Sequence, residues 1–171
     1  MVVLRPTQKL RALLPLTTGS VGESETALGD WYINRIVVDR RPLLLLLSAQ
    51  ALLPLLIPAR DVRSLPDRLP GLVGTLLRRL GVGERLIEAE LRAMETTCIA
   101  PTRDRSVLGV LVDTAKSIPH YLDAGRWDET TLPLVEGKLA NTPWHCSGRS
   151  SDVVWPAEAA PRLLHEKWGG G

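Results

Sequence analysis

The chain has no phenylalanine, and its 171 residues hold only five Trp and two Tyr. A core without Phe must be packed from aliphatic side chains, and leucine is abundant along the whole chain. Lysine is nearly as scarce: it occurs only at Lys9, Lys116, Lys138 and Lys167, so arginine carries most of the positive charge. The net charge is only +2. That permits contact with nucleic acid but lacks the dense basic face of a dedicated binder. Two cysteines, Cys98 and Cys146, are too few for a disulfide framework and are expected as free thiols in a reducing compartment.

Long hydrophobic runs are missing too. The greasiest stretch, Leu43 to Ile57, is broken by Ser48, Gln50 and Pro54. It falls short of the roughly 20 apolar residues of a membrane span. Met1-Val2-Val3-Leu4-Arg5 lacks the basic region and apolar core of a signal peptide. These absences predict a soluble, cytoplasmic protein with no membrane association. There is no Walker loop, Rossmann glycine fingerprint, Gly-x-Ser-x-Gly elbow, His-Glu-x-x-His or paired Cys-x-x-Cys. His145-Cys146, with His120 and His165 far off in sequence, lacks the spacing of a tetrahedral metal site, so neither a metal nor a cofactor is expected.

What is present is a change of character at Ala27-Leu28-Gly29-Asp30-Trp31-Tyr32-Ile33-Asn34. A Gly/Ser/Thr/Glu loop, Thr17 to Thr26, precedes it. Three apolar runs follow and read as strands: Trp31 to Val38, Leu43 to Leu47 and Leu52 to Ile57. Pro54 cannot donate to a ladder, so the third strand should sit at a sheet edge. These three together suggest an antiparallel meander, with Val2-Val3-Leu4 as a first strand joining the sheet. A short helix should begin at a Thr7 cap and present Leu10, Leu13 and Leu14.

From Leu65 the period becomes helical. Helices are expected from Leu65 to Leu80 with Gly81 as cap, from Glu84 to Glu95, from near Ser106 to Pro119, from Leu132 to Ala140 and from Ala157 to Lys167. Asn141 to Trp155 reads as irregular. The expectation is one α+β domain over residues 1–171, a mainly antiparallel sheet with helices packed on one face. Its core should extend to about residue 142, with 143–171 an irregular extension carrying a short helix.

Candidate chemistry is sparse. Asp30 admits two readings: an acid/base or metal ligand at a strand mouth, with Tyr32 and Asn34 beside it, or a turn residue before a core tryptophan. Ser106 at a helix start beside Arg105, and Thr7 beside Lys9, are arrangements that bind anions and equally arrangements that simply cap helices.

Arg5-Pro6-Thr7-Gln8-Lys9-Leu10, Thr26 to Asn34, Leu52 to Ala59 and Asp104-Arg105-Ser106-Val107-Leu108-Gly109, taken in order, resemble the signature blocks of a family of small bacterial proteins of unknown function. Leu139-Ala140-Asn141-Thr142-Pro143 resembles a later block. The chain departs from that pattern at Asp104, where the family has Asn, and at Leu111-Val112, where it has a Met-Asn pair. The resemblance implies a stand-alone bacterial protein and no named activity.

Three functions follow as expectations. The first is a binding protein contacting an anionic ligand or nucleic acid through Thr7, Lys9, Tyr32, Asn34, Arg105 and Ser106. The second is a small hydrolytic or nucleic-acid-processing enzyme centred on Asp30. The third is an assembly partner, a homo-oligomer included, using an apolar edge near Pro54.

Overall fold

A computed structural model describes residues 1–146 and 153–170. The fold is α+β, built on a five-stranded sheet in the order β4-β3-β2-β1-β5. The strands are β1 (Val2–Pro6), β2 (Trp31–Val38), β3 (Arg41–Ser48), β4 (Pro54–Pro58) and β5 (Thr97–Ile99). β2, β3 and β4 form the expected antiparallel meander, with Trp31 opposite Ser48 and Leu45 opposite Leu56. β4 lies at the edge, as Pro54 requires.

Two features were not foreseen from the sequence. β1 runs parallel to β2, with Arg5 opposite Tyr32, and parallel to β5 on its other side. β5 itself is only three residues long, too short for a period of two to register in sequence. The long segment between β1 and β2 is the crossover that a parallel pair needs.

Leu43 to Leu47 are each at most 2% exposed, so both faces of β3 are covered. Helix α3 (Arg105–Ser117) lies on β2 and β3, while α1 (Leu65–Arg79) and α4 (Leu132–Ala140) contact β4. Helix α2 (Glu84–Ala93) packs on α1, and α5 (Pro156–Trp168) packs on α2 and α4. The periodic stripes are what become buried: Leu65, Leu69, Val73, Leu76 and Leu77 in α1, then Val107, Val110, Leu111 and Thr114 in α3. Gly81 ends the α1 region at φ +79°, as a C-terminal glycine should.

The helix expected at Thr7 is a single 3-10 turn, Gln8–Leu10, and Thr7 makes no side-chain cap bond. Its hydroxyl donates instead to Asn34 Oδ1 at 3.2 Å on the neighbouring strand. The cap of α3 is Asp104 rather than Ser106: one Asp104 oxygen accepts from the Ser106 and Val107 amides. Asp is as good an N-cap as Ser and stands two residues earlier.

The expected irregular stretch from Asn141 to Trp155 falls partly outside the described residues. Within them it forms a two-stranded pair, β6 (Trp144–His145) with β7 (Val153–Val154). In α5, Ala159, Ala160 and Leu164 are buried. The terminal Gly169-Gly170-Gly171, which sequence alone reads as a flexible end, lies outside the described residues at Gly171. Among the described residues no helix is long and apolar enough to cross a membrane.

Candidate functional site

Arg5 is the one polar residue between apolar neighbours in β1, and it is only 4% exposed. A guanidinium in that setting must be paired, because an unpaired buried charge is costly. Its Nε donates to Asp30 Oδ2 at 2.5 Å and its Nη1 to the Pro101 carbonyl at 2.6 Å. The other Asp30 oxygen accepts from Ser24 Oγ at 2.6 Å, and Ser24 Oγ in turn accepts from the Val3 amide at 2.9 Å. The Asp30 carboxylate is therefore engaged on both oxygens.

The backbone around Asp30 is tied as closely. Ala49 N donates to Asp30 O at 2.7 Å and Gln50 N to Leu28 O at 3.1 Å, clamping the β3–β4 turn onto this segment. Gly29 sits between at φ +76°, and a Cβ there would lie 2.7 Å from Gln50 Cγ. Glycine is required on both counts. From the other side, Glu90 of α2 is wholly buried; it accepts from the Ala27 and Leu28 amides at 2.6 and 3.0 Å and from Trp168 Nε1 at 3.1 Å. Burial pushes the Glu90 carboxyl upward, and the three donors and Lys167 oppose that rise without cancelling it. Tyr32 OH accepts from the Asp104 amide at 3.1 Å, which fixes the start of α3 over β2.

Above this framework is an open cleft of about 490 Å³. Gly29, Asp30 and Tyr32 line it from the strand side, and Ala49 and Gln50 from the β3–β4 turn. Glu23 and Ser24 line it from the loop, Arg103 and Asp104 from the start of α3, and Leu163, Glu166 and Lys167 from α5. Its ionisable lining mixes both signs. A small polar molecule can be held there by groups fixed in advance.

Of the residues singled out from sequence, Asp30 and Tyr32 line the cleft. Thr7 donates to Asn34, and neither residue lines the cleft. Lys9 and Arg105 are exposed, Ser106 is half-buried, and none of the three lines the cleft. The α3 start offers little to an anion, since its Ser106 and Val107 amides already bond Asp104. The single turn after Thr7 is no better. Cys146 is buried and Cys98 half-buried, both as free thiols. Among the described residues, no three or more His, Cys, Asp or Glu side chains gather as a cation cage would need.

Sequence reasoning passed over Arg5, Ser24, Glu90, Arg103 and Lys167. For two of these a signal existed. Arg5 interrupts an apolar strand, and Glu90 occupies the buried stripe of α2, three residues after Ile87 and four before Met94. The contribution of α5 had no local signal, because only packing brings residue 167 beside residue 23.

Three of the five blocks singled out in sequence are thus tied to one another: Arg5 to Asp30, Thr7 to Asn34, and Tyr32 to Asp104. Comparison with curated proteins and with solved structures gives no match. A family model does match, over residues 3–159, and the chain belongs to that family, the domain of unknown function DUF6933.

Proposed function

We propose that the chain is a binding protein whose recognition site is the cleft over Asp30. The observation behind this reading is that groups from five separate segments, residues 23–32, 49–50, 103–104 and 163–167 with Arg5 beneath, are held round one cleft by short hydrogen bonds. Such a site is ordered before a ligand arrives. Glu23, Asp104 and Glu166 line it together with Arg103 and Lys167. That mixture suits a small polar ligand carrying both charges better than a polyanion, which would meet the carboxylates without a dense basic face to offset them.

An enzyme centred on Asp30 is less well supported. Its carboxylate is taken by Arg5 and Ser24, and the candidate cations Lys9 and Arg105, which could have stabilised charge beside it, lie outside the cleft. An assembly role through the β4 edge is also less well supported, because Pro54 to Ile57 are buried and α4 packs on them.

The test is a heteronuclear NMR titration of the labelled protein, with a panel of free amino acids and, separately, a single-stranded oligonucleotide. Saturable shifts at Gly29, Gln50 and Arg103 with an amino acid are the expected result. Shifts at Lys9 and Arg105 with the oligonucleotide alone would overturn the cleft and restore nucleic acid as the ligand. No saturable shift with either probe would overturn the reading as well.

A further inference from the structure

At the far end of the sheet is a second pocket, of about 550 Å³, that shares no lining residue with the cleft. It forms where β3 begins and β4 ends. Pro42, Leu43 and Pro58 supply apolar walls, and neither proline has an N–H to solvate. Trp127 closes one side, and its indole is fixed: Nε1 donates to Asp39 Oδ2 at 2.7 Å. The same Asp39 oxygen accepts from the Gly125 amide at 2.9 Å.

The β2–β3 turn accepts backbone strain to place that carboxylate. Val38 pairs with Arg41, leaving a two-residue turn in which Asp39 and Arg40 have φ of 51° and 64°. Asn-Gly is the usual choice for a turn of this kind, since both central residues need positive φ. Here neither is glycine, and Asp39 is tolerated at the first position while its side chain anchors Trp127.

Arg41 follows the turn directly. Its guanidinium lies 4.7 Å from the centroid of the Trp127 ring, and Nη1 donates to the Trp127 carbonyl at 2.9 Å. Stacking and hydrogen bond together fix the plane of the fork. Among the described residues that is the one hydrogen bond the Arg41 side chain donates, so most of the guanidinium N–H groups remain for a ligand. The other charges at the rim have protein partners. Hydrogen bonds from Gly125 to Asp39 and from Thr130 to Asp128, helped by Arg41 itself, hold these two carboxyls below the ordinary carboxylate range. Arg60 pairs with Glu129 at 2.8 Å, and Asp128 accepts from the Thr130 amide at 2.8 Å within its own turn.

We propose that this pocket binds a small carboxylic acid with an apolar body, the body against Pro42, Leu43, Pro58 and Trp127 and the carboxylate on the Arg41 fork. A planar, oriented guanidinium over an apolar recess matches a carboxylate in geometry and charge, which a bare apolar recess would not. The volume suits a molecule of one ring or a short branched chain.

The test uses the intact chain and phenylacetate, with phenylacetamide as the uncharged control. Phenylacetate should shift the Trp127 indole N–H resonance saturably, and phenylacetamide should bind at least tenfold more weakly. Arg41→Gln should weaken phenylacetate at least tenfold while leaving phenylacetamide unchanged, with thermal melting confirming that the variant is folded. Equal affinity for acid and amide would overturn the proposal on the unmodified protein alone. So would the absence of any saturable shift at Trp127, or an Arg41→Gln variant, folded, that binds the acid as the parent does.

Discussion

At the scale of single residues, the protein commits its polar side chains to pairs. The side chains of Arg5 and Asp30 are 5% and 12% exposed, and each is the other's main neutralising partner. Removing one charge strands the other in a site with little water. Arg5→Met should therefore destabilise the fold by about 3 kcal/mol, and Arg5→Met combined with Asp30→Leu by less than the sum of the two single changes. Urea denaturation of the four proteins measures this; strict additivity would mean the two charges do not depend on one another. The Arg5 half of this pair was legible, since an arginine inside Val2-Val3-Leu4-Arg5-Pro6 needs an explanation. Its partner was not, because a turn before a strand explains Asp30 without any ion pair.

At the scale of elements, α3 shows how a local signal can be right in kind and displaced in position. Sequence places a capped helix start near Ser106, and the cap is Asp104, which also holds Tyr32 through its amide. Asp104→Ala should cost about 1 kcal/mol of stability. Asp104→Asn should change it by less than about 0.5 kcal/mol, since Asn accepts from the same amides equally well. Thermal or chemical melts distinguish the two; equal losses would mean that charge at the helix start, rather than the cap bond, is what stabilises α3. The opposite case is the turn after Thr7, where an apparently good cap and stripe produce only a 3-10 turn. The Thr7 hydroxyl is drawn to Asn34 across the sheet, and a helix this short has no packing to sustain it.

At the scale of the whole molecule, two buried glutamates set how stability follows pH. Glu136 of α4 is 3% exposed, and burial pushes its carboxyl up to about 7, with Arg79 and the Leu56 amide opposing. Glu136 Oε2 has no hydrogen-bond partner among the described residues. Glu90 is shifted in the same direction. A carboxyl raised in the folded state binds more protons there than in the unfolded chain, so stability is full below the unfolded pKa near 4.5 and is lost as pH rises through about 7. For Glu136 the loss is on the order of 3 kcal/mol. The melting temperature should therefore be higher at pH 5 than at pH 8.5. Glu136→Gln should flatten that slope, leaving the variant at least as stable as the parent at pH 8.5. An unchanged slope in the variant would show that Glu136 is not the group responsible. The groups shifted downward, Glu25, Asp39, Glu84 and Asp128, act on the other side, weakening the fold only as pH falls below the ordinary carboxylate range.

Local chemistry by itself determined the elements: the three apolar strands of the meander, the helical stripes from Leu65 onward, the edge position of β4 and the glycine stop at Gly81. Each depends on a period, a missing donor or a permitted φ, all readable within a few residues. Tertiary structure alone decided that β1 runs parallel beside β2, that three residues after α2 form a fifth strand, and that α5 returns to the first loop to border a cleft. These follow from which surfaces must be buried together and which charges must meet across distant segments. No window of neighbouring residues contains that information.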